Sequence, residues 1–324
     1  MTRILITGAT GFLGGALARR LLADGMVVIA LGRNAEKLDQ LRRLGAQTVA
    51  GDLSFFDVSA FSGEADVLVH AAALSSPWGT RQAFERANIE GTKAALAIAE
   101  KYGVQRFVKI SSPSVYFRFA DQEGLSEDHA LPQPVNAYAD TKARAEELVR
   151  AAPAFDTVIL RPRGLYGPGD TALLPRLLKA AQARPLPFMR NGIAATDLTF
   201  IDDVVDAILA AIRAPSPLAG EVFNISGGEA LSVREVAEAA GARAGIDVRW
   251  QALPWALVKA YAKIAETVCA SLPGRPEPRV TAYSAGLFAF RQTLNIEKAR
   301  RILNWSPKTS FDVGLSRTFE EQSA

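Results

Sequence analysis

Ile4-Leu5-Ile6-Thr7-Gly8-Ala9-Thr10-Gly11-Phe12-Leu13-Gly14 is the most informative stretch of this chain. A short apolar run ends in glycine, as a buried parallel strand does. Helical spacing follows at once, with Leu13, Leu17, Leu21 and Leu22 on one side. Three glycines alone mean little more than a flexible turn. Set between a strand and a helix, they form a cradle for a dinucleotide pyrophosphate. The turn is tight, the backbone can approach the phosphates, and the helix end offers N–H donors and a positive dipole.

Outward from this cradle, strands and helices alternate. Residues 27–31 read as a second strand, 35–44 as a helix closed by Gly45, 48–50 as a third strand and 67–70 as a fourth. Residues 84–102 form a long helical pattern that stops at Gly103, and 107–110 a strand ending in Ser111-Ser112. A helix over 136–151 and a strand over 157–160 complete the series. This order predicts an α/β fold, a Rossmann-type doubly wound parallel sheet with helices on both faces. Such sheets bind ligands beyond the C-terminal ends of their strands. Past Pro162 the pattern loosens, which suits a smaller lobe over those strand ends. The expected division is a dinucleotide-binding domain over 1–163, with 194–225 returning to it, and a substrate-binding lobe from 164–193 and 226–324.

Composition narrows the function. The 324 residues are 49% hydrophobic, enough for a sizeable core. The net charge of +3 is spread along the chain with no basic tract, so nucleic acid is not an expected partner. One cysteine, Cys269, forbids an internal disulfide, and with only two histidines no metal site is expected. The N-terminus lacks a signal-peptide pattern, and no segment offers about 20 uncharged apolar residues. A cytoplasmic location is the expectation.

The chemistry lies in Tyr138-Ala139-Asp140-Thr141-Lys142, which puts a phenol and an ammonium at i and i+4 on one helix face. Reducing a ketone leaves an alkoxide that needs a proton; oxidising an alcohol needs the reverse. A free phenol, with a pKa of about 10, is a poor base at neutral pH. An adjacent Lys⁺ favours the phenolate and can also hold a nicotinamide ribose. The bland alternative is a surface i,i+4 pair. The strand ending in Ser112 argues against it, because that hydroxyl can hold the substrate oxygen while Tyr138 moves the proton. The second strand ends Leu31-Gly32-Arg33-Asn34, with no carboxylate before Glu36. An acid there would read a ribose 2′-hydroxyl, whereas Arg33 suits a 2′-phosphate, so NADP(H) is favoured over NAD(H). Arg33 as a solvated helix-start residue is the competing reading.

With these residues in place, the chain resembles an extended short-chain dehydrogenase/reductase of the NAD-dependent epimerase/dehydratase superfamily. Further landmarks are Gly51-Asp52-Leu53, His70-Ala71-Ala72-Ala73, Asn88-x-x-Gly91-Thr92, Arg161-Pro162, Tyr166-Gly167-Pro168-Gly169-Asp170 and Phe223-Asn224-Ile225-Ser226-Gly227-Gly228. The resemblance implies catalysis by Ser112, Tyr138 and Lys142. It places Gly8, Thr10, Gly11, Phe12, Leu13, Gly14, Arg33, Asp52, Leu53, Ala71, Ala72, Ala73, Asn88, Ser111, Tyr138, Lys142, Pro162 and Leu165 around the cofactor. Within the superfamily, Ile110-Ser-Ser-Pro-Ser-Val-Tyr116-Phe117 and Ser76-Pro-Trp78-Gly79 are similar to the 3β-hydroxysteroid dehydrogenase-like branch. Aligning on Val115-Tyr116 selects Ser112, rather than Ser111 or Ser114, as the catalytic hydroxyl.

That branch implies a ketone/alcohol oxidoreductase for a bulky lipophilic substrate: steroid-like, a long-chain 3-oxo lipid or a keto-sphingolipid. Ser75, Trp78, Ser112, Tyr116, Arg163 and Arg190 are the candidate substrate contacts. A nucleotide-sugar epimerase is the rival reading. Thr196 stands where that branch commonly carries a diphosphate-binding Arg, which counts against it. A dinucleotide-sensing binding protein is a third reading; such proteins typically lack the Tyr/Lys pair. The resemblance also implies a homodimer through helices 84–102 and 136–151, both rich in alanine. Residues 253–272 are apolar apart from Lys259, Lys263 and Glu266. They read either as a helix packed on the sheet domain or as a greasy lid over the substrate that touches a membrane surface.

Overall fold

The computed structural model describes residues 2–55, 64–152, 155–215 and 217–320. Its centre is a seven-stranded parallel sheet in the order Glu221–Ile225, Asp156–Pro162, Arg106–Ile110, Val67–His70, Arg3–Thr7, Val27–Gly32, Gln47–Ala50. The central strands are buried on both faces, which is why they read as unbroken apolar runs. One face carries Ile4, Ile6, Val69, Val108 and Leu160 into a large core. The other carries Leu5, Leu68, Phe107 and Ile159 into a second core with Ala95, Ile98 and Ala99 of helix Gly91–Lys101.

The strand order reverses at Arg3–Thr7, so a crevice opens between its C-terminal end and that of Val67–His70. Above it lie short elements drawn from distant parts of the chain. One is a four-stranded sheet in the order Leu231–Ser232, Ala195–Thr196, Gln292–Leu294, Gln122–Leu125. Another is a pair of helices, Trp255–Ser271 and Ala282–Leu287, that pack on each other.

Residues 253–272 contain the helix Trp255–Ser271. It leans on Phe119, Met189, Ala289 and Phe290 through Trp255 and Val258. Ala262 is its one buried residue. Two of its three charged residues turn inward: Lys259 lies over the Phe119 ring, and Glu266 accepts the Ala282 N–H at 2.8 Å, while Lys263 is exposed. Leu257, Tyr261, Ile264, Val268 and Leu272 all stay exposed.

The long helical pattern predicted over 84–102 begins earlier, at Arg81, capped by the Thr80 hydroxyl. It passes through a π turn over Glu85–Glu90 before running on as Gly91–Lys101.

Candidate active site

The glycine cradle is set by close contacts. Gly8 has φ +73°, and a Cβ there would stand 2.7 Å from the Ala72 N across the crevice. A Cβ on Gly14 would reach 2.2 Å from the Gly8 carbonyl oxygen. Both positions therefore require glycine. Helix Phe12–Ala23 begins at Gly11 with no side-chain cap, which leaves its first-turn N–H groups for a ligand. These features fit a dinucleotide pyrophosphate. Thr10 packs against Gly32 at the end of the second strand. Beyond it, Arg33 extends into solvent and approaches Asp52 at 3.4 Å.

Tyr138 and Lys142 lie on helix Ala137–Arg150, whose N-cap is Asn136, its side chain accepting from the Ala139 N–H. Both are buried. The Ser75 hydroxyl donates to the Tyr138 oxygen at 3.2 Å, which leaves the phenolic proton available. The Lys142 Nζ donates to the Ile110 carbonyl at 2.8 Å, so the lysine is anchored at the end of a sheet strand. Burial draws Lys142 below the usual lysine range, while Tyr138 and Glu146 oppose that shift. One turn along the helix, Glu146 is wholly buried and joins Ser111, Arg150 and Arg161.

That network separates the two serines. The Ser111 hydroxyl is spent on Glu146. Ser112 is less buried, and its hydroxyl oxygen accepts the Ser114 N–H at 3.2 Å.

Beneath the crevice runs a buried polar row. Thr7, His70 and Lys109 are in register on adjacent strands. The Thr92 hydroxyl donates to the Asn88 carbonyl at 2.6 Å, so it can only accept from His70 Nε2 and Lys109 Nζ, both at 3.0 Å. His70 therefore carries its proton on Nε2, and its Nδ1 accepts from the Thr7 hydroxyl at 2.7 Å. Burial, then the charges of Lys109 and Lys142, hold His70 well below its ordinary range, which favours the neutral ring. Asn88 grips the loop above: its Oδ1 accepts the Leu74 N–H at 2.8 Å, and its Nδ2 donates to Thr141 Oγ1 at 3.0 Å.

The candidate substrate contacts separate. Ser75 reaches Tyr138 directly. Trp78 donates its indole N–H to the Arg275 carbonyl at 3.0 Å, joining the loop after strand Val67–His70 to the C-terminal segment. Tyr116 is fully buried and its hydroxyl lies between Arg161 and Asn224, which leaves it no face for a substrate. Arg190 is held bidentately by Asp121, with both bonds at 2.8 Å, so its fork is occupied. Arg163 is buried beside Asp197.

The residue reading missed Tyr283, on helix Ala282–Leu287. Its ring meets Phe117 edge-on at 4.8 Å. Burial and nearby Tyr138 raise its phenol well above the ordinary range, with Arg163 opposing, so it remains protonated. No motif surrounds Tyr283 in the sequence, and no spacing pointed to it.

A family model for the NAD dependent epimerase/dehydratase family matches residues 4–226. This chain belongs to that family. It is an extended short-chain dehydrogenase/reductase enzyme with a Rossmann-type fold that binds NAD, and its relatives include the 3β-hydroxysteroid dehydrogenase-like branch. It is 34% identical to a 4-hydroxy-2-methyl-3-oxo-4-farnesyl-3,4-dihydroquinoline-1-oxide ketoreductase from Stigmatella aurantiaca, over 97% of this chain and 94% of that one. It is 33% identical to a 2-alkyl-3-oxoalkanoate reductase from Stenotrophomonas maltophilia, over 97% and 98% of the two chains. A decarboxylating sterol-4-alpha-carboxylate 3-dehydrogenase from Candida albicans is 29% identical, over 98% and 96%. Among solved structures, a UDP-glucuronic acid 4-epimerase from Bacillus cereus in complex with NAD superposes with a TM-score of 0.77 at 26% identity, covering 99% of each chain.

Proposed function

We propose that this family member interconverts a ketone and a secondary alcohol on a bulky lipophilic substrate, in the reductive direction, with NADP(H). The observation that carries this reading is the Tyr138 phenol, buried beside anchored Lys142 and accepting a hydrogen bond from Ser75. The reduced nicotinamide supplies the hydride. Tyr138 gives its proton to the carbonyl oxygen as the new C–H bond forms, and Lys142 and Ser75 stabilise the phenolate left behind. Ser112, at the end of the neighbouring strand, holds the substrate oxygen. The glycine cradle and the crevice residues named above bind the cofactor, with Arg33 taking its 2′-phosphate. Residues 164–193 and 226–324 form the substrate lobe.

The names of the ketoreductase, oxoalkanoate reductase and sterol dehydrogenase relatives support a lipophilic substrate. The solved neighbour is a nucleotide-sugar epimerase, which keeps that activity as the alternative. Occupation of Arg190 by Asp121 and the presence of Thr196 count against it. Two partner proposals accompany the reading. Two copies pair through helices Gly91–Lys101 and Ala137–Arg150, and the exposed apolar side of helix Trp255–Ser271 rests on a membrane surface.

The test follows NADPH oxidation with long-chain 3-oxo compounds and, in parallel, binding of UDP-sugars. Turnover of the lipophilic ketone is expected, with NADPH preferred over NADH and the preference reduced by Arg33→Asp. Tyr138→Phe should retain cofactor binding and lose turnover by about a hundredfold or more. Saturable UDP binding that no ketone displaces would replace this reading with the epimerase.

A further inference from the structure

Tyr138, Lys142 and Glu146 stand at i, i+4 and i+8 on helix Ala137–Arg150, so they form one stripe along it. The last two grip the turn that follows strand Arg106–Ile110. Lys142 Nζ donates to the Ile110 carbonyl at 2.8 Å, and Glu146 Oε1 accepts the Ser111 hydroxyl. Glu146 is wholly buried, and its carboxylate is full. Oε1 also accepts from Arg161 Nε at 2.8 Å, and Oε2 accepts from Arg161 Nη2 and from Arg150 Nη2, the latter at 2.9 Å. Burial works against its charge, and Arg161, Ser111 and Arg150 overcome that, holding the carboxyl below its usual range. The remaining arm of Arg161, Nη1, donates to the Tyr116 hydroxyl, which donates in turn to Asn224 Oδ1 at 3.0 Å. Asn224 carries the column into the upper lobe, where its Nδ2 donates to the Leu125 carbonyl at 2.9 Å. Tyr116 ends the 3₁₀ turn Pro113–Tyr116, whose N-cap is Ser112. Ser111 and Tyr116 are therefore the two ends of a segment with Ser112 inside it, and one buried ion pair holds both ends.

Apolar side chains of the same volume often stabilise a core as well as a buried ion pair does. What the pair adds here is direction, because each of its bonds fixes a neighbour in distance and angle. We infer that Glu146 and Arg161 are positioning residues: together they clamp segment Ser111–Tyr116 against the helix of Tyr138 and Lys142, and so set where the Ser112 hydroxyl meets the substrate oxygen. The inference rests on the ketoreductase reading and adds the device that aligns its two halves, the hydroxyl on the turn and the phenol on the helix. A misplacement of about 1 Å between such groups costs up to about a hundredfold in rate. Ser111 spends its proton on Glu146 and Tyr116 spends its proton on Asn224, so neither has one to give a substrate. The Ser112 oxygen only accepts, from the Ser114 N–H at 3.2 Å, which leaves its proton for the substrate.

A double-mutant cycle separates this role from general support of the fold. Ser111→Ala and Tyr116→Phe each remove one hydroxyl and leave the ion pair in place, whereas Glu146→Ala would strand Arg161 in the core. With saturating NADPH and a long-chain 3-oxo compound, each should lower kcat about 10- to 100-fold in the otherwise unmodified enzyme. In a Ser112→Ala background the same changes should lower it less than about 2-fold, because nothing is left to place. Tyr116→Phe should bind NADPH with an unchanged Kd. Either variant completes the cycle alone if the other does not fold. An equal loss in both backgrounds overturns the clamp, as does full kcat in both variants or in Ser112→Ala, and each of these leaves reduction through Tyr138 standing. Weaker NADPH binding by Tyr116→Phe would put its effect on the cofactor and likewise overturn it. Reduction of no ketone by the unmodified enzyme overturns the ketoreductase reading, and the clamp with it.

Discussion

At the scale of single residues, His70 shows how a buried polar group is kept in one state. Thr92 can only accept from it, which puts a proton on Nε2, and burial with the neighbouring lysines favours the neutral ring, whose Nδ1 then accepts from Thr7. This has a consequence for stability. The unfolded chain binds a proton at this histidine below a pH of about 6.5, whereas the folded chain does not. Unfolding then takes up a proton, so the stability His70 contributes is complete above that pH and is lost as pH falls through it. The loss is at most about 1.4 kcal/mol per pH unit for this one proton. Chemical denaturation between pH 5 and 7.5 should show this slope, and His70→Gln, which preserves a donor and an acceptor, should lose it. The same slope in the variant would mean that the imidazole is charged in the fold. The other histidine, His129, is exposed.

At the scale of elements, the π turn and helix Trp255–Ser271 depart most from what periodicity alone conveys. Apolar spacing identified a helix over 84–102 but gave no sign that Glu85–Glu90 widens by one residue per turn, because burial on one side looks much the same in both forms. The turn carries Asn88, whose side chain fastens the Leu74 loop to helix Ala137–Arg150. In helix Trp255–Ser271 the composition was legible and the orientation was not. Its inward polar side became apparent only from Lys259 over Phe119 and Glu266 at Ala282. Leu257 and Ile264 are each 64% exposed, and Tyr261, Val268 and Leu272 continue the stripe. Lys263, Arg275 and Arg279 are exposed nearby and suit anionic headgroups. No helix among the described residues is long and apolar enough to cross a membrane. Cosedimentation with vesicles containing phosphatidylglycerol should therefore be reversible and partly salt-sensitive. Leu257→Asp with Ile264→Asp should abolish it, and equal sedimentation of the double variant would show that this stripe makes no lipid contact.

At the scale of the whole molecule, the sheet domain was readable because each of its rules is local. Strands buried on two faces are apolar runs, and the cradle needs glycine where a Cβ would strike Ala72 or Gly8. The upper lobe was not readable in the same way. Its four-stranded sheet joins two- to four-residue strands drawn from residues 122 to 294, too short to show any period. Tyr283 meets Phe117 by the same long-range assembly. The homodimer is argued at this scale as well. Ala97 is exposed and Ala94 and Ala143 are half-buried, while Ala95, Ala99, Ala139 and Ala145 are buried within the chain. Sedimentation equilibrium at micromolar concentration should give twice the chain mass, and a monomer there would refute the pairing.

The indole of Trp78 spans the sheet domain and the C-terminal segment through one hydrogen bond to the Arg275 carbonyl. The other tryptophans occupy different settings: Trp305 is buried with its N–H on the Asp203 carbonyl, Trp250 is tied to Glu238, and Trp255 packs between Phe119 and, edge-on, Phe290. Trp78 is thus a natural fluorophore at the seam. Breaking that bond would wet the ring and redden its emission, so Trp78 fluorescence reports on the contact with Arg275.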